Sequence, residues 1–142
     1  MTYNTIKDKY KNKKDCLIFL EEIIWRSKPV CPYCGGINPS NLIDEERYHC
    51  NRCNTSFSVT VNTIFHKTKI DLQKWFYAIN LIFDENKIFS VRKLAKELRV
   101  HKNTAWLLKQ KITEASIVRH KYILLIYQEI KLLTGELKEK IY

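Results

Sequence analysis

Val30-Cys31-Pro32-Tyr33-Cys34-Gly35-Gly36 and Tyr48-His49-Cys50-Asn51-Arg52-Cys53 decide how this chain is read. Two Cys-x-x-Cys pairs stand fifteen residues apart. The thiolates of such a pair converge on one point when the backbone turns back on itself. Pro32 sets φ on the way into the first turn, and Gly35 supplies the unusual φ/ψ on the way out. Two turns of this kind, brought together by a hairpin, make a tetrahedral four-sulfur site that suits one zinc ion held by Cys31, Cys34, Cys50 and Cys53. Two disulfides, or a redox pair, are the alternative. No apolar stretch of signal-peptide type precedes Cys16, and a chain kept in a reducing compartment favours zinc. Four protein ligands leave no open position for water, so the ion is structural rather than catalytic. A ribbon this small buries too little apolar surface to fold alone, and metal binding becomes its folding free energy. His49 could ligate only by displacing a cysteine. Cys16, the fifth cysteine, falls on the apolar face of a helix and reads as an inert core residue.

Outward from this centre, all three Pro and two of the three Gly lie within residues 29–39 of a 142-residue chain. Almost a hundred residues without a strong breaker follow. At 45% hydrophobic residues the chain is too apolar for disorder, and its longest apolar run, Tyr122 to Tyr127, is too short to cross a bilayer. Four regions are expected. Residues 1–28 hold a basic, solvated arm and then a short helix capped by Asp15, with Cys16, Phe19, Leu20, Ile23 and Ile24 on its buried face. Residues 29–69 form the zinc ribbon, with strands around Arg47 to Cys50 and Phe57 to Phe65; Phe57-Ser58-Val59-Thr60-Val61 alternates as a half-buried strand does. Residues 70–118 are helical, and residues 119–142 continue as a C-terminal helix and tail. The fold class is α+β.

Within the helical part, Asp71 caps a helix with Leu72, Trp75, Phe76, Ile79 and Phe83 on one face, ended by Asp84 to Lys87. Ser90 caps the next helix, with Phe89 and Leu94 in staple positions. After a turn at Arg99 to His101, the helical pattern resumes and reaches toward Thr134 as a single or kinked element closed by Gly135. Ser90 to Leu108 has helix-turn-helix spacing. Leu94, Leu98, Val100, Ala105 and Leu108 take the buried positions, and Ala95 is the small residue at the crossing. Arg99 stands where Gly is usual, at a site that demands positive φ. A three-helix bundle with no nucleic-acid role is the competing reading.

Charge separates these readings. The formal net charge is +10, and between Lys87 and Lys121 ten Lys and Arg face two Glu. An excess of eight positive charges in one segment favours a polyanionic partner, because each phosphate neutralised releases a counterion. Lysine-rich codon bias is the bland source of such a charge. Docked as helix-turn-helix units dock, the chain sets Arg92, Lys93, Lys96 and Arg99 against phosphates. His101, Lys102 and Asn103 then face the major groove, with Lys109 beyond. Trp106 falls on the same groove-facing side, and packing against a neighbouring helix, rather than base reading, is expected of it.

These residues, together with Cys16-Leu17, Leu20-Glu21, Trp25, Phe57-Ser58-Val59-Thr60, Thr63 to Lys69, Trp75 to Ile79 and Thr104-Ala105-Trp106, resemble the N-terminal half of zinc-ribbon transposases. These are bacterial insertion-sequence enzymes related to the Merlin transposons of eukaryotes. The resemblance covers about residues 15–115. It implies a ribbon and helix-turn-helix that bind double-stranded DNA at terminal inverted repeats, ahead of a DDE nuclease domain with two metal ions. No Asp follows Asp84 in this sequence. The expectation is therefore a DNA-binding module without an enzymatic activity of its own. Its location would be the cytoplasm or nucleoid of a bacterium or the nucleus of a eukaryote, with no membrane partner. A full-length transposase, or a second copy in a homo-oligomer, are further partners. The competing class is a protein-interaction or regulatory ribbon, or one half of a split transposase.

Overall fold

The computed structural model describes residues 3–83, 90–117 and 121–133. They divide into two compact units, residues 12–69 and residues 1–11 with 70–142.

The first unit starts with helix α2 (Lys13–Trp25), numbered after a short helix α1 (Tyr3–Lys9) that belongs to the other unit. Asn12, not Asp15, caps α2: its side-chain oxygen accepts the Asp15 backbone N–H at 2.9 Å. Asp15 thus sits in the first turn, where a carboxylate opposes the positive end of the helix dipole. Arg26 (φ 50°) and Ser27 (φ 65°) close the helix in left-handed backbone, donating to the Glu22 and Glu21 carbonyls. This stop precedes Pro29, in keeping with the conformational limit proline places on the residue before it.

Three short antiparallel strands follow, β1 (Ser40–Leu42), β2 (Arg47–Cys50) and β3 (Thr55–Phe57), in the order β1-β2-β3. Ser40 pairs with His49 and Leu42 with Arg47, while Tyr48 pairs with Phe57 and Cys50 with Thr55. Strand β1 is additional to the two expected strands. The alternating run after Phe57 is not a strand. Successive turns occupy it, with Val61 N–H donating to Ser58 O, Thr63 N–H to Thr60 O and His66 N–H to Thr63 O. The hydroxyls that produced the alternation hold these turns: Ser58 and Thr60 are hydrogen-bonded at 2.7 Å, and Thr63 Oγ1 donates to Thr60 O. Side chains that hydrogen-bond their own backbone compete with sheet pairing. The small core joins Cys31, Cys50 and Phe57 with Trp25, Tyr48 and Val61 packed around them. Trp25 stands edge-on to Tyr48 and Phe57, with ring centroids at 5.3 and 5.9 Å, a favoured aromatic geometry.

The second unit contains α3 (Leu72–Ile82), α4 (Val91–Leu98), α5 (Lys102–Ile117) and α6 (Lys121–Leu133), with α1 packed on α3. The N-terminal residues are therefore a helix and not a solvated arm. Ile6 is fully buried, the Tyr10 ring meets Phe76 edge-on at 5.5 Å, and Gln73 Nε2 donates to the Tyr10 carbonyl at 3.0 Å. Helix α3 is buried on nearly every side, Leu72, Trp75, Phe76 and Ile79 being joined by Tyr77, Ala78, Asn80 and Leu81. Beyond His101 the described helices are α5 and α6, both in contact with α3, and residues 118–120 between them lie outside the described residues. The expected stop at Asp84 to Lys87, the Phe89 staple and the Gly135 cap lie outside the described residues. None of the described helices is long and apolar enough to cross a membrane.

Candidate metal centre and nucleic-acid interface

The first knuckle is built within six residues. Gly35 N–H donates to the Cys31 carbonyl at 2.9 Å, Cys31 N–H to the Gly36 carbonyl at 2.9 Å, and Tyr33 N–H points at Cys31 Sγ at 3.4 Å. Gly35 takes φ 76°, as its position after Cys34 requires. The second knuckle places Asn54 at the equivalent point with φ 59°. Asn is among the few side chains that tolerate this region. His49 holds it there: its Nε2 lies 3.0 Å from Asn54 Oδ1 and its Nδ1 3.2 Å from Ser56 Oγ. Both ring nitrogens are engaged in the ribbon and not aimed at the sulfurs.

Pairing of β1 with β2, which sets Ser40 opposite His49, brings the first knuckle to the second. All four sulfurs, of Cys31, Cys34, Cys50 and Cys53, lie within 4.8 Å of one another, with Cys31 to Cys53 at 3.7 Å and Cys34 to Cys50 at 3.5 Å. A regular ZnS4 tetrahedron with bonds of about 2.3 Å has edges of about 3.8 Å, so the donor set fits one zinc ion. Gly36 is shaped to this site, because a Cβ there would stand 3.1 Å from Cys50 Sγ and 3.3 Å from Cys34 Sγ. The sequence signal for Gly36 was the doubled glycine after Cys34; Asn54 had no comparable signal. Without metal the sulfurs are not equivalent. The Cys53 amide, followed by that of Arg52, draws the Cys50 thiol down to about 6 against the cost of burial. At Cys34 the Gly36 amide pulls down, but burial and the three neighbouring thiols outweigh it and lift the group to about 12. Zinc ligates thiolates, so binding removes this inequality and releases protons. Cys16 is buried apart from the cluster and unoxidised. Among the described residues, the four cysteines are the one group of His, Cys, Asp and Glu side chains arranged to hold a metal.

The second unit carries the basic surface. Ser90 caps α4 as expected, its Oγ accepting the Lys93 N–H at 3.2 Å. Arg99 ends α4 with φ 55° and ψ 49°, so the turn has its usual left-handed form with a side chain where glycine is common. Its N–H donates to Ala95 O and Lys96 O, and Val100 N–H to Ala95 O. His101 then caps α5, Nδ1 accepting the Asn103 N–H at 3.2 Å. Leu94, Leu98, Ala105 and Leu108 are fully buried and Val100 half-buried. Arg92, Lys93, Lys96 and Arg99 on α4 and its turn are exposed, as are His101, Lys102 and Asn103 at the start of α5; Lys109 is half-buried. Trp106 departs from expectation. It is 55% exposed rather than packed on a helix, because Ala105, Leu108, Ile112 and Ala115 already form the inward stripe of α5.

Comparison with known proteins gives these two sites a context. Residues 11–56 match the model of a family described as transposase zinc-ribbon domain. A Halobacterium salinarum protein described as "Uncharacterized protein in transposable element ISH50" is 30% identical over 90 residues, which are 61% of this chain and 30% of that protein. The chain thus spans less than a third of the length of this relative. No solved structure matches.

Proposed function

We propose that this chain is a zinc-dependent module that binds double-stranded DNA sequence-specifically, at the terminal inverted repeats of a mobile element, and that its work is recognition rather than catalysis. The observation that carries this reading is the sorting of side chains on α4 and α5. Their apolar residues Leu94, Leu98, Ala105 and Leu108 are buried, while seven cationic or base-reading residues from Arg92 to Asn103 face solvent. Phosphate contacts from Arg92, Lys93, Lys96 and Arg99 would position the duplex, and Lys102 and Asn103 would read guanine and adenine edges. Lys109 would extend the phosphate contacts one turn further along α5. The transposase zinc-ribbon segment and the transposable-element relative support the choice of target.

A salt-titrated binding assay of the zinc-loaded chain on candidate inverted repeats tests it. Affinity should fall with salt, by about 0.9 in log K per log salt for each phosphate neutralised. Lys102→Ala and Asn103→Ala should relax base preference, each by about 1–3 kcal/mol of discrimination, whereas Lys93→Ala should weaken all sequences alike. A slope near zero removes the reading. A second reading, docking of the ribbon on a transposase chain or a second copy, is favoured by Val30, Tyr33 and Ile37, exposed together around the first knuckle. Substituting Tyr33 and Ile37 by Ser would then abolish association while leaving zinc bound.

A further inference from the structure

Trp106 is the most exposed large apolar side chain among the described residues of α5. An indole buries some 150–250 Å² when it packs, and a helix whose inward stripe is complete leaves Trp106 more than half in water, beside Leu107 at 40% exposure. Lys102 and Asn103 lie about one turn before it on α5 and are both exposed. On a helix, residues three and four apart share a face, so Trp106 stands directly beyond Asn103 and Lys102. That displacement is about 4.5–6 Å along the axis, between one and two base-pair steps of about 3.4 Å.

We infer that Trp106 reads a thymine, its indole packing against the C5-methyl group in the major groove one or two base pairs from the base met by Asn103. The inference rests on the DNA-binding reading above. Its physical basis is complementarity of two kinds at one place. The thymine methyl is the apolar feature of the major-groove floor, and covering it removes water from both it and the indole. The surrounding cations hold the duplex close enough for that contact. In a B-form duplex the base faces are stacked, so a side chain entering the groove meets base edges, and the methyl is what an aromatic surface can use there.

Deoxyuridine provides the test, since it lacks the methyl and keeps every hydrogen-bonding group of thymine. The full zinc-loaded chain is first used to select its site from random duplexes. Each thymine of the selected site is then replaced in turn by deoxyuridine, and affinity is measured by anisotropy. One replacement should weaken wild type about fourfold, the loss expected when a group of methyl size is no longer covered. Trp106→Ala should bind both duplexes equally and keep the wild-type salt slope, and Trp106→Phe should keep part of the discrimination. The Trp106 emission, assigned by difference against Trp106→Phe, should shift to the blue on binding.

Salt-dependent binding with no sensitive thymine, or with sensitivity that survives Trp106→Ala, overturns the inference and leaves the DNA-binding reading standing. Dissociation of an oligomer by Trp106→Ala with DNA affinity unchanged overturns it in favour of a self-association face. Absence of salt-dependent binding by wild type overturns both. Because Trp106 is outside the core, an unchanged thermal transition in Trp106→Ala shows that the variant is folded.

Discussion

Cys34 and Cys50 lie sixteen residues apart in the chain and bring their sulfurs to 3.5 Å. Two local turns make the ligand pairs, but the β1–β2 pairing and the packing of Trp25, Tyr48 and Phe57 place one pair on the other. Metal and aromatic core are thus two halves of one small centre.

Removal of zinc should therefore unfold this unit. Structural zinc contributes about 10–16 kcal/mol of apparent binding free energy in ribbons of this size, far more than so small a core supplies. Adding a strong chelator should move Trp25 emission to the red and open residues 12–69 to protease, while the helical circular dichroism of α3 to α6 persists. Cys34→Ser should behave as the chelated protein, and native mass spectrometry should show its zinc lost.

Gly36→Ala should leave the backbone turn possible but crowd the sulfurs, its Cβ meeting Cys50 Sγ at 3.1 Å. Sulfurs held by an ion cannot give way as free thiols can. Overpacking of this kind costs about 1–3 kcal/mol, so zinc affinity measured by chelator competition should fall by about tenfold or more.

Arg99→Gly should separate stability from binding. With φ 55°, Arg99 bears the left-handed penalty of about 1–2 kcal/mol, partly offset in the glycine variant by its freer unfolded chain. Thermal unfolding should show a gain of about 0.5–1 kcal/mol. The same variant would lose the proposed phosphate contact, and its salt slope should then fall by about one.

Alkaline pH should weaken both units. Burial, then the hydrogen bond and charge of Glu21, push Tyr48 from 10.0 up to about 12. Burial and Glu97 do the same to Tyr77. A raised value means that the fold favours the neutral phenol. Its contribution is complete below pH 10 and is lost as pH climbs from 10 to about 12. Tyr48→Phe should flatten this loss for the ribbon, followed by urea unfolding at each pH, and tyrosinate absorbance should report the late titration of both groups.

The ribbon's ligands and the Ser90 cap were legible because their causes are local. Cys-x-x-Cys followed by glycine, or Ser90 three residues before the Lys93 amide it accepts, sets geometry within one turn of chain. The stretch after Phe57 misled for a local reason as well: alternation of apolar and hydroxyl residues looks the same whether the hydroxyls face solvent across a strand or bond to the turns they sit in. Asn12 displaced Asp15 as the cap of α2 because both are good caps, and spacing alone does not choose between adjacent candidates.

By itself, then, the sequence determined which four cysteines can hold the metal, where α3, α4 and α5 begin, and that α4 and α5 carry an apolar inside and a basic outside. Only the tertiary structure decided that residues 3–9 leave their chain neighbours and pack as α1 on α3, more than sixty residues away. It also decided that Ser40–Leu42 completes a three-stranded sheet, and that Trp106 remains in solvent. The physical reason is the same in each case. Burial is a property of what arrives from elsewhere in the chain: a side chain's hydrophobicity states how much it gains by being covered, and only the packing of distant residues states whether anything covers it.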